Sequence, residues 1–167
     1  TSCLRWLAAK GYPLLIVTPG NKIDEILRVT RRLAPDFEQT VLLGYPPFLK
    51  EVVDAGRAEG LAWESHNIRL VTAGEVFSEA WRDLVLERLG QGEALNSIAS
   101  LYGTADAGVL GNETPLSVAI RRFLAGRPDV ARSLFGEERL PTLCQYDPRS
   151  RYFEVVEGED GRTLAFS

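Results

Sequence analysis

An α/β fold, a mostly parallel sheet with helices on both faces followed by a short antiparallel β tail, is predicted from three observations. Short apolar runs alternate four times with helix-period segments, and each pair is joined by a loop containing glycine. Strands alternating with helices favour a parallel sheet. Beyond Pro128 the texture changes to short β-like pieces divided by turn signals at Asp147-Pro148 and Glu159-Asp160-Gly161. The length of 167 residues, 45% of them hydrophobic and 25% charged, suits one globular unit with a proper core. Residues 1–127 are thus expected as βα repeats and 128–167 as a β-rich tail.

Each repeat has its own signals. Leu14-Leu15-Ile16-Val17 is the first expected strand, followed by the loop Thr18-Pro19-Gly20-Asn21. Asn21 is a candidate N-cap for a helix whose inner stripe is Ile23, Ile26, Leu27, Thr30 and Leu33. Thr40 to Leu43 is the second strand, leading through Gly44-Tyr45-Pro46-Pro47 into a helix from about Pro47 to Ala55, closed by Gly56. Ile68 to Thr72 is the third. Ser78 then caps a helix striped by Trp81, Leu84, Val85 and Leu89 and stopped by Gly90. Ile98 to Tyr102 is the fourth, opening into a long loop from Gly103 to Glu113. Thr114-Pro115 starts the last helix, with Leu116, Ala119, Ile120, Phe123 and Leu124 on its inner face. Leu140 to Tyr146, Arg151 to Val156 and Thr163 to Phe166 are the β-like pieces of the tail.

Charge and composition exclude several partners. The formal net charge is −4, with no Lys/Arg stripe, which argues against nucleic-acid binding. The pairs Arg31-Arg32 and Arg121-Arg122 read as solvated helix faces. No apolar run reaches the roughly 18 residues of a membrane span. Cys3 and Cys144 are too few for a disulfide framework or a zinc site. The single histidine, His66, lacks a nucleophile elbow to serve, and neither G-x-x-x-x-G-K-[ST] nor G-x-G-x-x-G occurs. The chain contains no methionine and begins at Thr1, so it is expected to be a segment of a longer protein.

In parallel sheets ligands gather at the carboxyl ends of the strands. The loops there read TPGN, GYPP, AGE and YGTADAG. Glu75, Asp106 and Glu113 are carboxylates on or beside these loops and suit Mg²⁺, which is bound by one or two carboxylates plus substrate phosphates. Tyr102 suits stacking on a planar base, and the Thr104 hydroxyl suits a phosphate. Each also has a plain structural reading: Tyr102 as an aromatic at the core edge, Asp106 as a turn former, and Glu113 as a partner of a helix dipole.

The runs NIRLVTAGEVFSEAWRD and SLYGTADAG, with GYPPFLKEVVDAG, GNETPLSVAIRRF and LPTLCQYDPRSRYFEV, resemble the AMP-forming acyl-CoA synthetases of the adenylate-forming superfamily, specifically the phenylacetate–CoA ligase-like branch. The resemblance extends from about Pro19 to Phe166. It implies that Tyr102 stacks on adenine, that Gly103 allows close approach, and that Asp106 takes the place of the Mg²⁺-binding glutamate. Ala105 falls where the family places a hydroxyl on the α-phosphate, leaving Thr104 or backbone N–H groups to make that contact. Ala73-Gly74-Glu75 would border the adenine and the acyl pocket. Tyr45, Phe48 and Val76 would line the carboxylic-acid side.

The implied chemistry joins a carboxylic acid to ATP, releases pyrophosphate, and passes the acyl group from AMP to CoA. The implied ligands are ATP/AMP, Mg²⁺, CoA and a small carboxylic acid, in the cytoplasm. The family's Ser/Thr/Gly-rich phosphate loop, ribose-binding Asp, hinge and lysine-bearing lid do not occur in these residues. The chain is therefore expected to be the middle of the large N-terminal domain, dependent on the remainder of its own chain and inactive alone. Two alternatives are a non-catalytic nucleotide- or acyl-binding module of the same fold and a structural interaction domain.

Overall fold

A computed structural model describes residues 2–92, 94–137, 139–158 and 161–166. Among these residues six α-helices and six strands follow in the order α1 (Ser2–Ala9), α2 (Ile23–Leu33), β1 (Thr40–Gly44), α3 (Pro46–Ala58), β2 (Ile68–Thr72), α4 (Glu79–Arg88), β3 (Ile98–Thr104), β4 (Gly108–Asn112), α5 (Pro115–Ala125), α6 (Pro128–Phe135), β5 (Phe153–Gly158) and β6 (Gly161–Phe166). The main sheet has the order β1-β2-β3-β4. Its first three strands are parallel, with Gly44 and Thr72 at the carboxyl ends of β1 and β2 in register with Ser100 of the longer β3. β4 returns antiparallel to β3, and β5–β6 form a separate antiparallel hairpin. The expected α/β class with its β tail is the one the molecule has.

Pleating sends alternate residues to opposite faces. On one face Ile68, Leu70 and Ile98 meet Leu49, Val52 and Val53 of α3, Val85, Leu86 and Leu89 around α4, and Ile26 and Leu27 of α2. Trp63 fills the centre of this core and donates its indole N–H to the Val53 carbonyl at 3.0 Å. Gly56 lies inside α3 rather than closing it, and the helix packs so tightly there that a Cβ would enter the Trp63 ring. On the other face Val41 and Leu43 of β1 are exposed.

The caps at Ser78 and Thr114 form as expected. Ser78 Oγ accepts the Trp81 N–H, and Thr114 makes a reciprocal box with Ser117. Lys22, not Asn21, occupies the N-cap of α2, and it makes no side-chain cap bond.

Four expectations are corrected. Leu14-Leu15-Ile16-Val17 forms no strand; β1 is the edge of the sheet and pairs with β2 alone. A short apolar run read without its neighbours does not reveal whether a ladder awaits it. The loop from Gly103 to Glu113 is mostly a β-hairpin, since β3 runs on to Thr104 and β4 pairs back along it. The region after Pro128 opens with helix α6, ended by Gly136 in the left-handed conformation. Leu140 to Tyr146 reduces to a single bridge, Gln145 with Asn112, two reciprocal bonds of 2.9 Å. Of the turn expected at Glu159-Asp160-Gly161, the first two residues lie outside those described.

Candidate functional site

The site is built on the carboxyl ends of β1, β2 and β3. Tyr45 follows β1 directly and is the N-cap of α3; its exposed ring stacks on Phe48 at 6.0 Å. The loop after β2 leaves in register beside it, and the Ala73 N–H donates to the Gly44 carbonyl at 3.2 Å. The structure thus joins the GYPP and AGE loops at one edge. Gly74 turns this loop with φ +92°, a conformation L side chains resist, leaving Ala73, Glu75 and Val76 exposed. Its far end is held by two arginines on successive carbonyls: Arg139 donates to Val76 at 3.2 Å and Arg121 to Phe77 at 2.8 Å.

Tyr102 extends past this edge on β3 and is 50% exposed, so its ring is free to stack on a ligand. Gly103 sits opposite the Gly108 carbonyl so closely that a Cβ has no room. The bare backbone at Gly103 is therefore required by the hairpin itself. Thr104 ends β3, and its Oγ1 accepts the Ala107 N–H at 3.0 Å. That bond shapes the turn and leaves the hydroxyl proton for a second partner. Ala105 and Asp106 form the exposed tip. Among the described residues no hydrogen bond or ion pair joins the tip to the loop of Ala73–Val76. They are neighbours through β3, not through side chains.

The largest unforeseen feature lies beneath these loops. Glu79, Arg82, Glu113 and Arg121 form a buried cluster of two carboxylates and two guanidiniums, with the partly buried Arg122 3.6 Å from Glu79 at its margin. Arg82 donates Nη2 to both Glu113 oxygens at 2.9 and 3.0 Å, Nε to Glu79 at 2.9 Å and Nη1 to the Ile98 carbonyl at 2.6 Å. Arg121 reaches Glu79 at 2.9 Å and Glu113 at 3.1 Å. Glu113 also accepts the Ser100 N–H at 2.9 Å. Phe77 covers the cluster, with its ring centre 4.8 Å from the Arg82 guanidinium carbon and 5.7 Å from that of Arg121.

Two readings of the sequence are overturned by this cluster. Arg121, expected on a solvated face, is 1% exposed. Glu113 is neither a free metal ligand nor simply a helix-dipole partner, since its carboxylate is engaged by two guanidiniums and a backbone N–H. α5 is turned accordingly. Ser117, Val118, Arg121 and Leu124 face inward, while Leu116, Ile120 and Phe123 of the expected inner stripe are exposed. A usable signal was present, because Arg82 is at i−3, i−4 and i−7 from the buried Val85, Leu86 and Leu89, within the apolar stripe.

Glu113 also acts on Cys144. Burial, and secondly the Glu113 charge, push the Cys144 thiol up to about 11, with Arg121 opposing. Only the thiolate is nucleophilic, so at pH 8 Cys144 should alkylate ~100-fold more slowly than an ordinary cysteine of pKa ~8.5, gaining about tenfold per pH unit up to pH 10. Mass-spectrometric counting of the Cys144 peptide checks this; labelling at free-cysteine speed would contradict it.

Among the described residues no group of three or more His, Cys, Asp or Glu side chains is placed to hold a metal ion. The lone Asp106 carboxylate fits Mg²⁺ only in the form in which substrate phosphates complete the shell. Among the described residues no helix is long and apolar enough to cross a membrane. No protein-family model matches the chain, and no curated protein matches it.

Proposed function

We propose that this chain is the adenylate-binding segment of an AMP-forming ligase of the phenylacetate–CoA ligase-like kind, which activates a carboxylic acid with ATP and passes it to CoA in the cytoplasm. The observation that carries the reading is the placement of GYPP and AGE side by side at one sheet edge, with the exposed Tyr102 two residues past Ser100 on the neighbouring strand. Exposed aromatic rings at Tyr45 and Tyr102, beside a glycine turn at Gly74, suit a flat base and an apolar acyl group.

In this reading each residue has one task. Tyr102 stacks on adenine, and Ala73, Gly74 and Glu75 border it. Tyr45, Phe48 and Val76 flank the acid. Thr104, with the backbone N–H groups of Gly103 and Ala105, donates to phosphate oxygens, and Asp106 holds Mg²⁺ against them. When bound, Mg²⁺ neutralises charge developing on the phosphoryl oxygens, where positioning and electrostatic stabilisation do most of the work. The 167 residues hold neither a Ser/Thr/Gly-rich phosphate loop nor a lysine-bearing lid, so we assign this chain binding without turnover. Ala105, with no hydroxyl, and Glu113, already engaged, favour a second reading, a binding module that kept the fold and lost the chemistry.

Asp106→Ala tests the metal role. Asp106 is an exposed turn residue, so stability should stay within about 0.5 kcal/mol of the parent. In calorimetric titration Mg·ATP affinity should fall about tenfold while metal-free AMP affinity holds. Equal Mg·ATP affinity in the two proteins would remove Asp106 from the site and leave the binding-module reading.

A further inference from the structure

We infer that the buried Glu79–Arg82–Glu113–Arg121 cluster is a positioning device that fixes the loop Ala73–Phe77 and the hairpin Thr104–Gly108 to one support. The connection is continuous. Arg121 grips the Phe77 carbonyl at 2.8 Å, and the same guanidinium holds Glu113 at 3.1 Å. Glu113 is the residue directly after β4, whose other end is the hairpin turn. Its second oxygen takes the Ser100 N–H, and Arg82 takes the Ile98 carbonyl, so β3 is held along the same stretch that leads to Tyr102. Phe77 is secured twice, by its carbonyl and by its ring against Arg82, Arg121 and Trp81.

Stability alone is a weak reason for such an arrangement, because buried ion pairs often do no better than apolar side chains of the same volume. What apolar side chains lack is direction. A planar guanidinium fork fixes several acceptors at set angles, here a loop carbonyl together with carboxylates from α4 and from the end of β4. α5 places Arg121 on its inner face beside the buried Val118 and Leu124, with Leu116, Ile120 and Phe123 exposed.

What the two loops hold rests on the adenylate reading; their coupling does not. In the ¹⁵N-labelled chain without nucleotide, backbone order parameters at Val76 and Phe77 should lie near the rigid value of ~0.85. Arg121→Lys keeps the charge but not the fork, and should bring them below ~0.6 while β2 is unchanged. Glu113→Gln should produce a smaller drop. Affinity for AMP should weaken in the same order, about tenfold and about threefold.

If Arg121→Lys does not fold, Glu113→Gln and the parent values carry the test. A loop already mobile in the parent, or one unmoved in the folded variants, would overturn the inference. Order parameters behaving as expected in a chain that does not bind AMP would refute the adenylate reading and leave the coupling standing.

Discussion

Replacing Glu113 with alanine is expected to cost about 3–5 kcal/mol of unfolding free energy, the usual result of removing one partner from a buried ion pair. The carboxylate has no exposed route to compensation. Its side chain is fully buried, and its removal leaves Arg82 and Arg121 charged with Glu79 as the only remaining carboxylate of the cluster. The Ser100 N–H would lose its acceptor as well. For a chain of this size each kcal/mol lowers the thermal midpoint by about 2–4 °C, so a fall near 10 °C should be visible in a melting curve. Double replacement of Glu113 and Arg121 by apolar residues should recover part of the loss, since the penalty lies in unpaired charge. A single variant within about 0.5 kcal/mol of the parent would show that the cluster is solvated.

The second large effect is expected at Gly56. Alanine favours a helix interior by up to ~1 kcal/mol over glycine, so propensity alone forecasts stabilisation of α3. Packing forecasts the opposite. The added methyl would enter the Trp63 ring, which has no exposed surface and is tied to the Val53 carbonyl. Overpacking of this kind costs about 1–3 kcal/mol, and more where a large ring has nowhere to go, so Gly56→Ala should lower stability overall. Urea titration followed by tryptophan fluorescence reads both the midpoint and the displaced indole. A raised midpoint would mean that α3 and the Trp63 segment are less closely packed than described.

The sequence revealed what is local. Ser78, Gly90 and Thr114-Pro115 mark helix ends through bonds within a few residues, and these ends form where expected. The three parallel strands were legible because β-prone runs alternate with helices. What depends on distant partners was not legible. Leu14–Val17 has the composition of a strand and no ladder. The hairpin after Tyr102 depends on Gly103 meeting Gly108 across the turn, which a loop rich in glycine and alanine conceals. Arg121 reads as one of a solvated pair in the sequence, where its distant acceptors on α4, at the end of β4 and at Phe77 are invisible.

The candidate site divides in the same way. That GYPP and AGE meet at one edge, with Tyr102 beyond it on the neighbouring strand, follows from topology, and the register of Gly44, Thr72 and Ser100 has this form. That Glu113 supports the site from below while Asp106 alone stands at the tip depends on burial. The exposed Val41, Leu43, Leu116 and Phe123 show how much apolar surface this unit presents beyond the edge itself.

The most direct measurement is an amide chemical-shift titration of the chain with AMP at millimolar concentration. Binding at the sheet edge should shift Ala73, Gly74, Glu75, Tyr102 and Gly103 together on one saturation curve, with Tyr45 and Phe48 responding when an aromatic carboxylic acid is added. No saturable shift at these residues, or shifts confined to another face of the sheet, would contradict an adenylate site here.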